Sequence, residues 1–208
     1  MKVIAVNGSP HKEGNTWIVL SKMSDIMKED GIETEILQIG AEKIHGCVGC
    51  GHCQTSDGNK CVFKDDVVNE ASLKMREADG IILGAPTYYA GIPGAMKCFL
   101  DRVFYSSKKY FNYKVATPVA VVRRAGGVDV VHQLMNYLHL AETVTPPSQY
   151  WTVVYGRTPG EVLQDGEGIQ TITKNARSLA WLLKVIEASS GKIPTPAEES
   201  RVYTHFVR

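Results

Sequence analysis

The chain has 208 residues, 44% apolar and 22% charged, with 23 Lys and Arg against 22 Asp and Glu for a net charge of +1. That length buries a full core without staples, and the near-even charge offers neither a basic surplus for nucleic acid nor an acidic solvating tail. No apolar run approaches the roughly 20 residues that cross a bilayer. Met1–Asn7 is too short and too weakly charged to read as a signal peptide. The expectation is a cytoplasmic protein with no nucleic-acid or membrane partner.

In chain order, Lys2–Val6 is a short β-branched run that stops at the turn cluster Asn7-Gly8-Ser9-Pro10. From Thr16 to about Asp30, Trp17, Val19, Leu20, Met23, Ile26 and Met27 recur at helical spacing, and Gly31 closes that helix. Thr34–Ile39 reads as a second strand. Asp65 and Asp66 open a helix to about Ala78, acids at its positive end. Gly80–Ala85 is a continuous apolar run suited to a central strand buried on both faces. A loop, Pro86–Gly94, leads to a helix from Ala95 to about Tyr105. Pro118–Val122 is a fourth strand, Arg124–Gly127 a loop, and Val128 to about Ala141 a helix. Tyr150–Tyr155 is a fifth strand, and Ile169 to about Ser189 a closing helix. Five alternations of strand and helix predict a parallel sheet covered on both faces, residues 1–208 forming one domain. Ligands then belong beyond the carboxyl ends of the strands.

Three loops at those ends carry the functional signal. In Asn7–Thr16, Gly8 and Gly14 permit tight backbone geometry, Ser9 and Thr16 add hydroxyls, Asn15 an amide, and a helix N-terminus follows. This is a phosphate cradle of mainly neutral donors, without a GxGxxG or GxxxxGK[ST] spacing. In Pro86–Gly94, Tyr88 and Tyr89 offer two aromatic rings to a flat ligand, and Thr87 a polar contact to its rim. Arg124-Ala125-Gly126-Gly127 allows close backbone approach.

Cysteine usage adds a second theme. Four of five cysteines fall in the pattern Cys47-x2-Cys50-x2-Cys53-x7-Cys61, among Gly46, Gly49 and Gly51. A ferredoxin has three cysteines at the same gaps, although Val62, not proline, follows Cys61. Three occupants stay open: an iron–sulfur cluster, a structural zinc, or redox thiols without metal. Cys98 reads as a small core residue, Trp17 and Trp181 as helix packing, and Asp101 and Arg102 as a structural ion-pair site.

On NGSPHKEGNT, GAPTYYAGIPGAMKCFLDR and RRAGG, the sequence resembles the NADPH-dependent FMN reductase family of the flavodoxin-like superfamily. Its compact cysteine pattern is similar to that of the iron–sulfur flavoprotein branch. The resemblance implies a flavodoxin-like α/β three-layer sandwich with strand order 2-1-3-4-5 and the cysteine loop inserted after the second strand. It implies FMN with its phosphate on Ser9, Asn15 and Thr16 beside Pro10. The ring would lie against Pro86, Thr87, Tyr88, Tyr89 and Gly91, with Ala125, Gly126 and Gly127 at the far edge. A [4Fe–4S] cluster on Cys47, Cys50, Cys53 and Cys61 would sit beside it. The implied activity is an oxidoreductase moving electrons from NAD(P)H or a reduced protein to a quinone, flavin or other acceptor. The alternative is an electron carrier with no small-molecule substrate, and the implied assembly is a homodimer or homotetramer.

Overall fold

The structure, a computed structural model, describes residues 1–206. Five strands, β1 (Lys2–Asn7), β2 (Glu33–Gln38), β3 (Gly80–Pro86), β4 (Val115–Val122) and β5 (Val153–Tyr155), form one parallel sheet in the order β2-β1-β3-β4-β5. The helices are α1 (Asn15–Glu29), α2 (His52–Thr55), α3 (Val68–Glu77), α4 (Gly94–Ser107), α5 (Gly127–Leu140) and α6 (Gly166–Ser189).

Strand side chains alternate between faces, and the two cores follow that alternation. Ile4, Val6, Ile81 and Leu83 pack with α3, α4 and α5 through residues such as Met75, Phe99 and Leu134. Val3, Ala5, Ile82 and Val119 pack with α1 and α6 through Leu20, Met23, Ile172 and Leu179. The result is the flavodoxin-like three-layer sandwich, and the expected strand order is the observed one. Crossovers place β1, β3 and β4 side by side with their carboxyl ends level. Asn7 pairs with Gly84, and Pro86 with Val121.

Some boundaries differ from the sequence expectation. β5 is three residues long, because Tyr150 and Trp151 are exposed and only the chain from Thr152 onward bonds to β4. β4 starts three residues early, at Val115, where it pairs with Gly80. The first turn of α6 is hidden in sequence by Gly166 and Gly168, and is held by Asp165 accepting the Gly168 N–H at 2.9 Å. Trp181 lies on the outer face of α6, mostly exposed, and does not pack inward.

Candidate functional site

The loops after β1 and β3, with the ends of β4 and β5, enclose a cleft of about 660 Å³. Its first wall is Ser9 to Thr16. The turn after β1 is fixed by a polar clamp. Ser9 N–H donates to Asn7 Oδ1 at 3.1 Å, Asn7 Nδ2 to Gln38 Oε1 at 2.6 Å, and Gln38 Nε2 to Ser9 O at 2.6 Å. Gly40 lies so close to this turn that a Cβ there would come within 2.3 Å of the Ser9 carbonyl. α1 begins in this wall with no side-chain cap, so its first backbone amides keep their hydrogen-bonding capacity for a ligand. Ser9 and Thr16 are buried in this wall.

Asn15 lines the cleft and also braces it. Its amide donates to Thr158 O at 2.9 Å and accepts from Gly160 N–H at 2.8 Å, so it ties α1 to the loop after β5. That loop brings Gly156, Arg157 and Pro159 into the cleft. It is itself held by Glu161, which accepts from the Arg157 and Thr158 N–H groups at 2.6 and 2.7 Å. These bonds pull the Glu161 pKa below the usual carboxylate value. No motif in the sequence marks this loop. The cradle is also more charged than its mainly neutral donors suggest, with Lys12, Arg123 and Arg157 lining the cleft alongside Glu13.

The second wall is Pro86, Thr87 and Tyr88. Tyr88 and Gly91 exchange two backbone bonds of 2.9 Å around Tyr89 and Ala90, whose φ values are +49° and +56°. Two consecutive positive φ values define the hairpin-type I′ turn. It directs Tyr89 wholly into solvent, away from the cleft lining, while Gly91 faces Gln133. The Thr87 hydroxyl is buried with no hydrogen-bond partner. The third loop supports the second from behind. Gly126, at φ +86°, is so close that a Cβ there would meet Ala90 Cα at 2.8 Å and Thr87 Cγ2 at 3.1 Å. Gly127 packs on Val153 and Val122. Ala125, Gly126 and Gly127 are thus outside the cleft lining, and Arg123 is the nearest lining residue.

A flavin mononucleotide fits this cleft on three counts. An uncapped helix start and three cations suit a phosphate, the orphaned Thr87 hydroxyl suits a polar ring edge, and Pro86 and Tyr88 suit an apolar one.

The cysteine segment folds against α3 and α4. Cys47, Cys50, Cys53 and Cys61 all line one hollow, closed by Phe63, Arg102 and Tyr105. Asn69 holds Cys61 by accepting its N–H at 2.8 Å and donating to its carbonyl at 3.1 Å. Arg76 donates to Gly58 O and Asn59 O at 2.6 and 2.9 Å, and Asn59 donates to Cys53 O at 2.9 Å. Burial pushes the Cys53 thiol pKa up. No disulfide forms among the five cysteines. Among the described residues, no group of three or more His, Cys, Asp or Glu side chains is placed to hold a metal ion. Cys98 is half-buried and faces this segment, its sulfur 3.7 Å from where a Gly46 Cβ would stand, so it is not the plain core residue expected. Asp101 and Arg102 do form ion pairs, with Lys97 and Asp66 respectively. Burial disfavours the Arg102 cation, but its bonds to Asp66 and Cys61 outweigh that and raise its pKa.

The family profile of the NADPH-dependent FMN reductases matches residues 1–158. The chain belongs to that family. It is similar to an iron–sulfur flavoprotein of Methanocaldococcus jannaschii, MJ1083, at 31% identity over 90% of this chain and 100% of that one. An iron–sulfur flavoprotein of Methanosarcina thermophila is 30% identical over 92% of this chain and 100% of that one. In fold it resembles RosB, solved with bound 8-demethyl-8-formylriboflavin-5′-phosphate, with a TM-score of 0.68 at 17% identity over 100% of this chain and 94% of that one. This FMN reductase relative is therefore a flavoprotein oxidoreductase with a flavodoxin-like fold. Among its described residues, no helix is long and apolar enough to cross a membrane.

Proposed function

We propose that the protein binds FMN in the cleft and takes electrons from NAD(P)H, passing them on through a [4Fe–4S] cluster held by Cys47, Cys50, Cys53 and Cys61. Bound FMN supplies the exchange between a two-electron hydride donor and one-electron acceptors. The chain supplies orientation and insulation. The α1 N-terminus, Ser9 and Thr16 receive the phosphate, with Lys12, Arg123 and Arg157 available to balance its charge. Thr87 meets the polar rim of the ring, and Pro86 and Tyr88 meet its apolar surface. Asn15 closes the cleft by holding the 157–160 loop against α1.

The observation that carries the reading is the course of α4. It starts at Gly94, where the Tyr88-bearing loop ends, and reaches the cysteine hollow at Arg102. Eight residues of helix span about 12 Å, so one rigid element links the flavin loop to the cysteines. Four thiols around a hollow suit a multi-iron group better than a single zinc ion, whose tetrahedral ligands meet at one point. The iron–sulfur flavoprotein names of the relatives support the same reading.

The test is anaerobic purification followed by heat release of pigment, chromatography, and iron and sulfide assays. FMN together with iron and sulfide is the expected content, and Cys47, Cys50, Cys53 and Cys61 changed singly to Ser should each deplete iron while retaining FMN. FAD in place of FMN would overturn the cleft assignment. Four free thiols without metal in anaerobic protein would overturn the cluster assignment alone.

A further inference from the structure

We propose that Arg102 is a positioning residue for the group held by the four cysteines, fixing the Cys61 sulfur and raising that group's reduction potential through an N–H···S bond. The inference rests on the cluster reading above. Arg102 is carried on α4 and its side chain is entirely out of solvent. Nε donates to Cys61 Sγ at 3.2 Å. Nη1 donates to His45 O at 3.2 Å, and Nη2 to Phe63 O at 3.3 Å. Both Nη atoms bind the Asp66 carboxylate, Nη2 to Oδ1 at 3.1 Å. The Phe63 ring lies 5.1 Å from the guanidinium carbon. One side chain thus gathers His45, just before the first cysteine, Cys61, the last, and Phe63 and Asp66 beyond it.

A purely structural ion pair explains the Asp66 contacts but not the Nε contact. A neutral thiol is a weak acceptor. Committing a buried guanidinium N–H to it is a good arrangement only when the sulfur carries negative charge, as a metal-bound thiolate does. Asp66 neutralises the pair as a whole from the Nη end. What faces Cys61 is therefore the positive end of a local dipole, oriented by two carbonyls and an aromatic ring. Adding one electron to the cysteine-held group, with no atom transferred, increases its negative charge. An N–H bond to a ligand sulfur stabilises the reduced form, and hydrogen bonds to sulfur are among the recognised determinants of cluster potential. Losing the bond should lower the potential.

The experiment uses full-length protein, reconstituted anaerobically with ferrous iron and sulfide, as wild type, Arg102→Lys, Arg102→Gln and Asp66→Asn. FMN, iron and sulfide are assayed per chain, and the midpoint potential of the non-flavin chromophore is read by dithionite titration. Arg102→Lys and Arg102→Gln should keep FMN, and their reduction equilibrium constant should fall about tenfold, about 59 mV for one electron. A variant that keeps FMN but loses most of its iron also supports the assignment, since Cys61 has then lost its anchor. Asp66→Asn keeps the N–H···S bond but strips the guanidinium of its neutralising carboxylate, so its potential should hold or rise, opposite in direction to the Arg102 variants. Wild-type potential and iron content in both Arg102 variants would overturn the proposal while leaving the cluster reading standing. So would a fall in the Asp66→Asn potential as large as theirs. Wild-type protein that holds no iron would overturn both.

Discussion

Asn15, at the first turn of α1, and Gly160, beyond β5, are 145 residues apart in sequence and joined by a hydrogen bond of 2.8 Å. With the bond from Asn15 to Thr158 O, it makes one amide the latch between the phosphate-side wall and the loop that carries Arg157. Neutral hydrogen bonds contribute about 0.5–1.5 kcal/mol each. Asn15→Ala should therefore weaken FMN binding by about 1–3 kcal/mol, seen by flavin fluorescence titration. It should also speed amide exchange in residues 157–160. Slower or unchanged exchange there would show that the loop is held by Glu161 alone.

Thr87 offers a prediction whose signs are opposed. Its buried hydroxyl has no partner in the protein, and an unmet buried polar group costs about 1–3 kcal/mol. Thr87→Val keeps the shape and removes the hydroxyl. The flavin-free protein should be as stable as wild type or more so in urea, whereas FMN affinity should fall by about 1 kcal/mol. A variant less stable without flavin yet equal in affinity would place that hydroxyl's role in the fold.

The turn at Tyr89 and Ala90 holds two non-glycine residues at positive φ, a strain of about 1–2 kcal/mol per residue that often collects at ligand clamps. Ala90→Gly should stabilise the chain by about 1 kcal/mol. Gly126→Ala should do the reverse, because its Cβ has no room against Ala90 Cα. Denaturant midpoints at fixed slope read both changes.

Tyr137 donates to Asp101 between α5 and α4, and burial with this carboxylate pushes its pKa from 10.0 up to about 12. The folded state therefore holds the phenolic proton more tightly than the unfolded chain does. Its stabilising effect is fully present below about pH 10 and is lost as pH rises toward about 12. Tyr137→Phe should flatten the decline of unfolding free energy across that window. Wild-type and variant curves that run parallel there would show that the phenol titrates alike in both states.

The sheet was legible because β1, β3 and β4 are apolar and followed by Gly- or Pro-bearing turns at their carboxyl ends, which also located two walls of the cleft. The third wall was not. Gly156–Pro159 follows a strand of three residues and carries no motif, and its place at the cleft is set by long-range and loop bonds, from Gly156 to Val122, from Asn15 and from Glu161. The glycines after β4 were legible as a close-approach site, but sequence could not say that the thing approached is Ala90. The Arg102 partner was hidden for a geometric reason. Adjacent residues on a helix do not face each other, so Asp101 turns toward Lys97 and Tyr137 while Arg102 turns inward to Asp66 and Cys61. The four-cysteine pattern was plain, but its supports, Asn69 and Arg76, lie beyond it on α3 and read in sequence as ordinary polar helix residues.

Anaerobic addition of one equivalent of NADPH or NADH to the FMN-loaded protein tests the account most directly, followed through the visible flavin absorption. The expected result is bleaching by a nicotinamide, matching the extent produced by dithionite, with the Thr87→Val and Asn15→Ala proteins bleaching in proportion to the FMN they retain. Flavin that dithionite reduces fully but neither nicotinamide touches would contradict the account and leave the donor role to a reduced protein.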